Sequence, residues 1–225
     1  MSIPKDSHLT RFHFQNPNGI SLGHDTESGL EHAKRMHCDH LVLPEINLDT
    51  HQRWVRGRLH EHCRRIYGAG QYRSVMTNST HTYHTAYKPG GLLSVTTGRL
   101  TGRILESGSD PMGRWVYTKF SASGANVVTV IGIYQPTAQR VDTARPTTVT
   151  AQQFSLLKQE SRSQPHKVRK HYSQDLLKFV KGCKQNGELI CIGGDLNETL
   201  GDDPDGLTKL GPIVAWWMSI TTDTK

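Results

Sequence analysis

The chain has 225 residues, 35% of them hydrophobic, with 27 Lys and Arg against 20 Asp and Glu, a formal net charge of +7 and a pI near 9.3. That length suits one large domain or two small ones. No stretch approaches the roughly 20 apolar residues of a membrane span, and the opening MSIPKDSHLT lacks the apolar core of a secretory signal, so an intracellular protein, cytoplasmic or nuclear, is expected.

RFHFQNPNGI alternates, with Phe12 and Phe14 on one face and Arg11, His13 and Gln15 on the other, as a half-buried strand does. It stops at the turn cluster Asn16-Pro17-Asn18-Gly19. TESGLEHAKRM reads as a helix with Thr26 or Ser28 at its N-cap, and HLVLPEIN as a short apolar strand broken by Pro44. From Asp49 or Thr50 to Tyr67 the spacing predicts a basic amphipathic helix. Its buried side would be Trp54, Val55, Leu59 and Ile66, and its cationic side Arg53, Arg56, Arg58, Arg64 and Arg65.

From Tyr72 to Tyr134 the pattern turns to strands: YRSVMT, GLLSVTT, TGRILES, RWVYTKFS and NVVTVIGIYQP, separated by turn residues and mostly antiparallel. A polar linker over 137–147 precedes a helix from Thr148 to about Glu160. Pro165 interrupts before a second helix, HYSQDLLKFVKGCKQNG, with Gly187 as its stop. The strand ELICIGG follows, and the last segment, PIVAWWMSITTDTK, is apolar and then polar. The order βαβα, then strands, then ααβ predicts one α+β or layered α/β/β/α domain. The four cysteines (Cys38, Cys63, Cys183, Cys191) have no CxxC spacing and read as reduced thiols.

Four of these strands end alike. The first ends at Asn16 and Asn18, the LVL strand at Glu45, VVTVIGIY at Tyr134, and LICIGG at Asp195 and Asn197. Each delivers a polar side chain beside Pro or Gly. If the strands lie side by side, these residues converge on one edge, where layered folds place ligand sites. The basic balance favours an anionic occupant: nucleic acid, a phosphorylated small molecule or a lipid headgroup.

The blocks QNPNGI, LPEIN, KPGGLLSVTTG, VIGIYQP and CIGGDLNET, in this order, make the chain resemble the endonuclease/exonuclease/phosphatase superfamily from about residue 11 to residue 200. Those metal-dependent phosphodiesterases include abasic-site and retroelement endonucleases, sphingomyelinases and inositol-polyphosphate phosphatases. The resemblance implies a four-layer α/β/β/α sandwich of two mainly antiparallel sheets over residues 8–225. It implies Mg²⁺ (or Mn²⁺) as cofactor, with Glu45 as metal ligand and Asn16 placing the metal and the neighbouring acid. It makes Tyr134 a contact of the scissile phosphate, Asp195 the group that orients or deprotonates water, and Asn197 a phosphate-binding amide. Asn18 stands where some members carry a second acidic ligand, and Lys88 before Gly90-Gly91 is a candidate phosphate contact.

The family's last blocks, an Asp-bearing strand end and a terminal Ser-Asp-His, have no match, and no His follows Asn197. The expectation is a C-terminally truncated member, its last strands missing, poorly stable and weak or inactive alone. The leading reading is a Mg²⁺-dependent endonuclease acting on nucleic acid. The alternatives are an inactive relative or basic nucleic-acid-binding remnant, and a phosphatase- or sphingomyelinase-type member. His60-Glu61-His62-Cys63 and His81-xx-His84 match no zinc-finger or HExxH spacing.

Overall fold

The computed structural model describes residue 6 and residues 8–82, 87–138, 141 and 148–197. His84, the polar linker's greater part and everything after Asn197, including PIVAWWMSITTDTK, lie outside the described residues. In chain order come β1 (Phe12–Phe14), α1 (His24–Arg35), β2 (His40–Pro44), α2 (Arg53–Tyr67), β3 (Tyr72–Thr77), β4 (Leu92–Thr97), β5 (Ile104–Ser109), β6 (Trp115–Ser121), β7 (Val127–Tyr134), α3 (Val149–Gln159), α4 (Val168–Gln185) and β8 (Leu189–Asp195).

The strands form two four-stranded sheets, ordered β1-β2-β4-β3 and β5-β6-β7-β8. Within the first, β1 runs parallel to β2 while β2–β4 and β4–β3 are antiparallel. In the second, β7 runs parallel to β8 and the remaining pairs are antiparallel. Each sheet is therefore mixed but mainly antiparallel, as the resemblance implied.

Strand periodicity sorts the side chains into layers. Leu41, Leu43, Leu93 and Val95 face α1 and α2, packing with Leu30, Val55, Leu59 and Ile66. Ile131, Ile133 and Trp115 face the other way onto Tyr172, Leu176 and Val180 of α4. Between the sheets lie Val42, Leu92, Val116 and Tyr134, with Phe14 against them. Both faces of the strand HLVLP are covered, which is why its middle reads as an unbroken apolar run. Each fully buried Leu or Ile in these layers contributes about 1.5–3 kcal/mol.

The sheets approach closely where a glycine faces a bulky residue. A Cβ on Gly132 would lie 2.3 Å from Val42 Cγ1, and one on Gly193 2.6 Å from the Phe14 ring. Gly132 and Gly193 are register partners on β7 and β8. This glycine pair seats β1 and β2 directly on β7 and β8. Because each of those strand pairs is parallel, all four C-terminal ends emerge at one end of the sandwich.

Local readings are corrected in three places. Helix α1 starts at His24 after Gly23, with no side-chain cap, and Thr26 Oγ1 instead donates to the Ser21 carbonyl. Helix α2 starts at Arg53, and Trp54 is 55% exposed rather than buried; His62 and Cys63 take its inner face beside Val55, Leu59 and Ile66. Helix α4 starts at Val168, one turn before HYSQD. At α3, Thr148 does cap, accepting from the Ala151 N–H at 3.1 Å. All four cysteines are free thiols.

Candidate active site at the strand ends

The Asn16 side chain sits at the centre of the shared end. Its Oδ1 accepts the Asn18 backbone N–H at 2.7 Å, so its amide nitrogen faces inward. That nitrogen donates to Glu45 Oε2 at 2.8 Å and to Asp195 Oδ2 at 2.6 Å. An amide carries two N–H donors, and here each meets a different carboxylate. Glu45 comes from the first sheet and Asp195 from the second.

Asp195 also accepts the Asn197 backbone N–H at 2.9 Å and the Asn197 side-chain amide at 3.2 Å. The same Asn197 amide donates to the Gln135 carbonyl at 2.8 Å. No described Lys or Arg forms an ion pair with Glu45 or Asp195, so both carboxylates are held by neutral donors.

Tyr134 faces Asp195 across the β7–β8 register and is 5% exposed. Burial raises its phenol pKa well above the ordinary value. The charges of Glu45 and Asp195 and a hydrogen bond to Glu45 push it the same way. The phenol therefore stays protonated and remains a donor.

The backbone at the site is unusual. Asn18, Glu45, Asn47 and Asn197 have φ of 53°, 57°, 57° and 44°. Asparagine tolerates this region; a glutamate gains nothing there. Glu45 is kept in it by its neighbours: its carbonyl accepts the Gly19 N–H at 2.8 Å, while Asn47 N–H donates to the Gly90 carbonyl at 2.9 Å. Asn47 Oδ1 accepts the Gly90 N–H in return, at 2.8 Å. Such held strain clusters at functional positions.

Of the seven residues singled out by sequence, Asn16, Glu45, Tyr134, Asp195 and Asn197 come together. Asn18 lies exposed at the rim. Lys88 is not brought to this cluster. It is 1% exposed, and its ammonium donates to the carbonyls of Ser79 (2.6 Å) and His81 (2.7 Å), with Asp49 Oδ1 at 3.7 Å. Burial lowers its pKa, and Asp49 opposes that.

Two residues of the site's support were not legible. Gln135 is fully buried and receives Asn197. Arg169, from α4, donates to the carbonyls of Pro136 (2.7 Å) and Asn197 (3.1 Å), and with the Gln135 amide turned over also to its side-chain oxygen at 2.9 Å. Arg169 thus ties the two loops leaving β7 and β8. In the sequence it is one more cation in a basic stretch, and nothing marks it.

Among the described residues no three His, Cys, Asp or Glu side chains gather as a metal cage. The cluster fits a different kind of ion. Two carboxylates reached by one amide nitrogen are hard oxygen donors, suited to Mg²⁺, which keeps several waters and binds one or two protein carboxylates plus a substrate phosphate.

No family model and no curated protein matches the sequence. Solved structures do match in fold. The AP endonuclease LMAP from Leishmania major aligns with a TM-score of 0.51 at 13% identity, covering 85% of this chain and 55% of that one. The human nocturnin catalytic domain gives 0.48 at 12% identity, covering 85% and 65%. The 3'-5' exonuclease NExo from Neisseria meningitidis gives 0.44 at 16% identity, covering 82% and 56%. The chain thus spans between 55% and 65% of the length of these three structures. The likeness to the AP endonuclease shows the fold alone: this chain shares that protein's fold.

Proposed function

We propose that this chain hydrolyses phosphodiester bonds in nucleic acid, as an endonuclease, with Mg²⁺ or Mn²⁺ held at Glu45. The observation that carries the reading is the Asn16 amide bridging Glu45 and Asp195 across the two sheets. It sets a metal-binding carboxylate beside a second carboxylate free of any cationic partner among the described residues.

Asp195 accepts a proton from water, and the water oxygen bonds to phosphorus as the bond to the leaving ester oxygen breaks. Tyr134, protonated at neutral pH, would turn its single O–H from Glu45 to a non-bridging phosphate oxygen when substrate binds. Asn197, whose two amide hydrogens meet Asp195 and the Gln135 carbonyl, would turn one of them to the phosphate when substrate binds. These neutral donors meet the developing charge without repelling the substrate. The bound cation would supply Lewis-acid stabilisation of the phosphoryl oxygens. Asn16 aligns Glu45 and Asp195 and so helps place the cation and the neighbouring acid. Exposed Asn18 stands where substrate enters. The net charge of +7 draws a polyanion toward the site.

The test is cleavage of plasmid and labelled oligonucleotide, and of a small phosphodiester ester, with and without MgCl₂. Glu45→Gln and Asp195→Asn should each lower the rate by about 100-fold or more. Cleavage undiminished in both variants, or no Mg²⁺-dependent cleavage by the parent chain, overturns the reading.

A further inference from the structure

Helix α2 and the edge strand β3 enclose a groove of about 430 Å³, lined by Arg53, Arg56, Gly57, His60, Ser74 and Met76. Arg53, Arg56 and His60 fall at i, i+3 and i+7 and so share one face of the helix. Neither Arg53 nor Arg56 forms an ion pair with a described carboxylate. Arginines elsewhere on α2 do: Arg58 pairs with Glu61 at 3.0 Å, and Arg65 with Glu27. The groove therefore holds two arginines without an ion pair among the described residues. Its potential acts on His60, whose pKa is lowered first by burial and then by Arg56.

Gly57 is the second observation. A glycine inside a helix costs about 1 kcal/mol relative to alanine, so its presence asks for a reason. Packing gives none, because a Cβ there would meet no atom within 4 Å. Gly57 lines the groove, and the missing side chain leaves that space open. Trp54, the chain neighbour of Arg53, is 55% exposed, its indole N–H fixed on Gln52 Oε1 at 2.7 Å. Unpaired arginines with a held, exposed aromatic ring are the parts of a single-strand platform, where guanidinium groups take phosphates and a ring stacks on a base.

Topology places the groove relative to the site. α2 follows the connection that leaves Glu45, and β3 is separated from β2 by β4 alone, about 10 Å at two inter-strand spacings. The groove lies outside the cluster around Asn16 but within reach of one strand.

We propose that the α2–β3 groove binds the sugar–phosphate backbone of single-stranded nucleic acid, holding a substrate segment outside the cleaved bond. This rests on the nucleic-acid reading of the site, yet it can fail or stand separately. The probe is a fluorescent 20-nucleotide single strand, titrated by anisotropy at several salt concentrations. Arg53→Ala/Arg56→Ala should weaken binding about tenfold and lower the salt slope by about 1.4, with hydrolysis of a small phosphodiester unchanged. Gly57→Leu should weaken binding while leaving the melting temperature equal or higher. Arg58→Ala/Arg64→Ala removes the same charge outside the groove and should change affinity little.

Equal losses in that charge-matched control would reduce the effect to net charge and overturn the proposal. Unchanged binding in Arg53→Ala/Arg56→Ala would do so too, as would groove-dependent binding to anionic lipid vesicles but not to the oligonucleotide. If the parent chain cleaves no phosphodiester but loses oligonucleotide binding with Arg53 and Arg56, the hydrolase reading falls and the groove stands.

Discussion

His40 shows how one buried side chain sets the acid limb of stability. It is 2% exposed, its Nδ1 lies 2.8 Å from Thr96 Oγ1, and its ring packs edge-on against Phe12 and Phe120. Burial lowers its pKa from 6.5 to about 4. The unfolded chain takes up this proton near pH 6.5 and the folded chain does not. The stabilisation is therefore complete above about pH 6.5 and is lost as pH falls toward about 4, on the order of 3 kcal/mol in all. Denaturant unfolding at pH 7.5 and pH 4 should show a smaller loss for His40→Gln than for the parent chain, by about that amount; equal losses would refute the assignment. In the sequence His40 is one histidine among 13. What singles it out is the ring-lined space between the sheets. Trp54 and Lys88 show the same limit: whether a side chain is covered depends on segments far away in the chain.

At the scale of elements, much was legible because it is local. Alternation marks β1, β-branched and aromatic runs mark β3 to β7, and Thr148 marks the start of α3. The strand-end residues could be listed because a strand's direction follows from chain order. Which strands pair could not be listed, since β1–β2 and β7–β8 are joined through long connections that leave no local pattern. The sequence does carry a trace of the sheet contact, in glycines inside otherwise β-forming runs: VIGIY and CIGGD. Gly132 and Gly193 are there because Val42 and Phe14 come so close. Gly132→Ala should cost about 1–3 kcal/mol by overpacking. Combining it with Val42→Ala should cost less than the two single changes added together, since the smaller residue vacates the space the new Cβ needs. Additive losses in a double-mutant cycle of chemical unfolding would mean that the contact does not set the sheet spacing.

At the scale of the whole molecule, the site is a joint between halves. Glu45 belongs to the sheet covered by α1 and α2, Asp195 to the sheet covered by α4, and Asn16 is a polar link between them. The second sheet is tied to its own helix by a buried ionic network. Arg114 bonds both Asp110 oxygens (2.7 and 2.8 Å) and Asp175 (3.0 Å), and Arg162 meets Asp175 from outside. Among the described residues no such charge pairing joins the carboxylates of the site. Two like charges held close by neutral donors repel, so the site is a place where the fold is weaker than it could be. Removing one charge should then stabilise the metal-free protein: Glu45→Gln should melt at or above the parent temperature in EDTA. Adding Mg²⁺ should reverse the order. An ion that binds only the folded state at 100 times its Kd adds about 2.7 kcal/mol, which for a chain of this size raises the melting temperature by about 5–10 °C. The parent chain should gain that increment and Glu45→Gln should not. Thermal melts of both proteins in EDTA and in MgCl₂ decide it. A parent chain indifferent to Mg²⁺, or a Glu45→Gln variant that responds equally, would remove Glu45 from the metal's reach and leave the two carboxylates without the cation that would balance them.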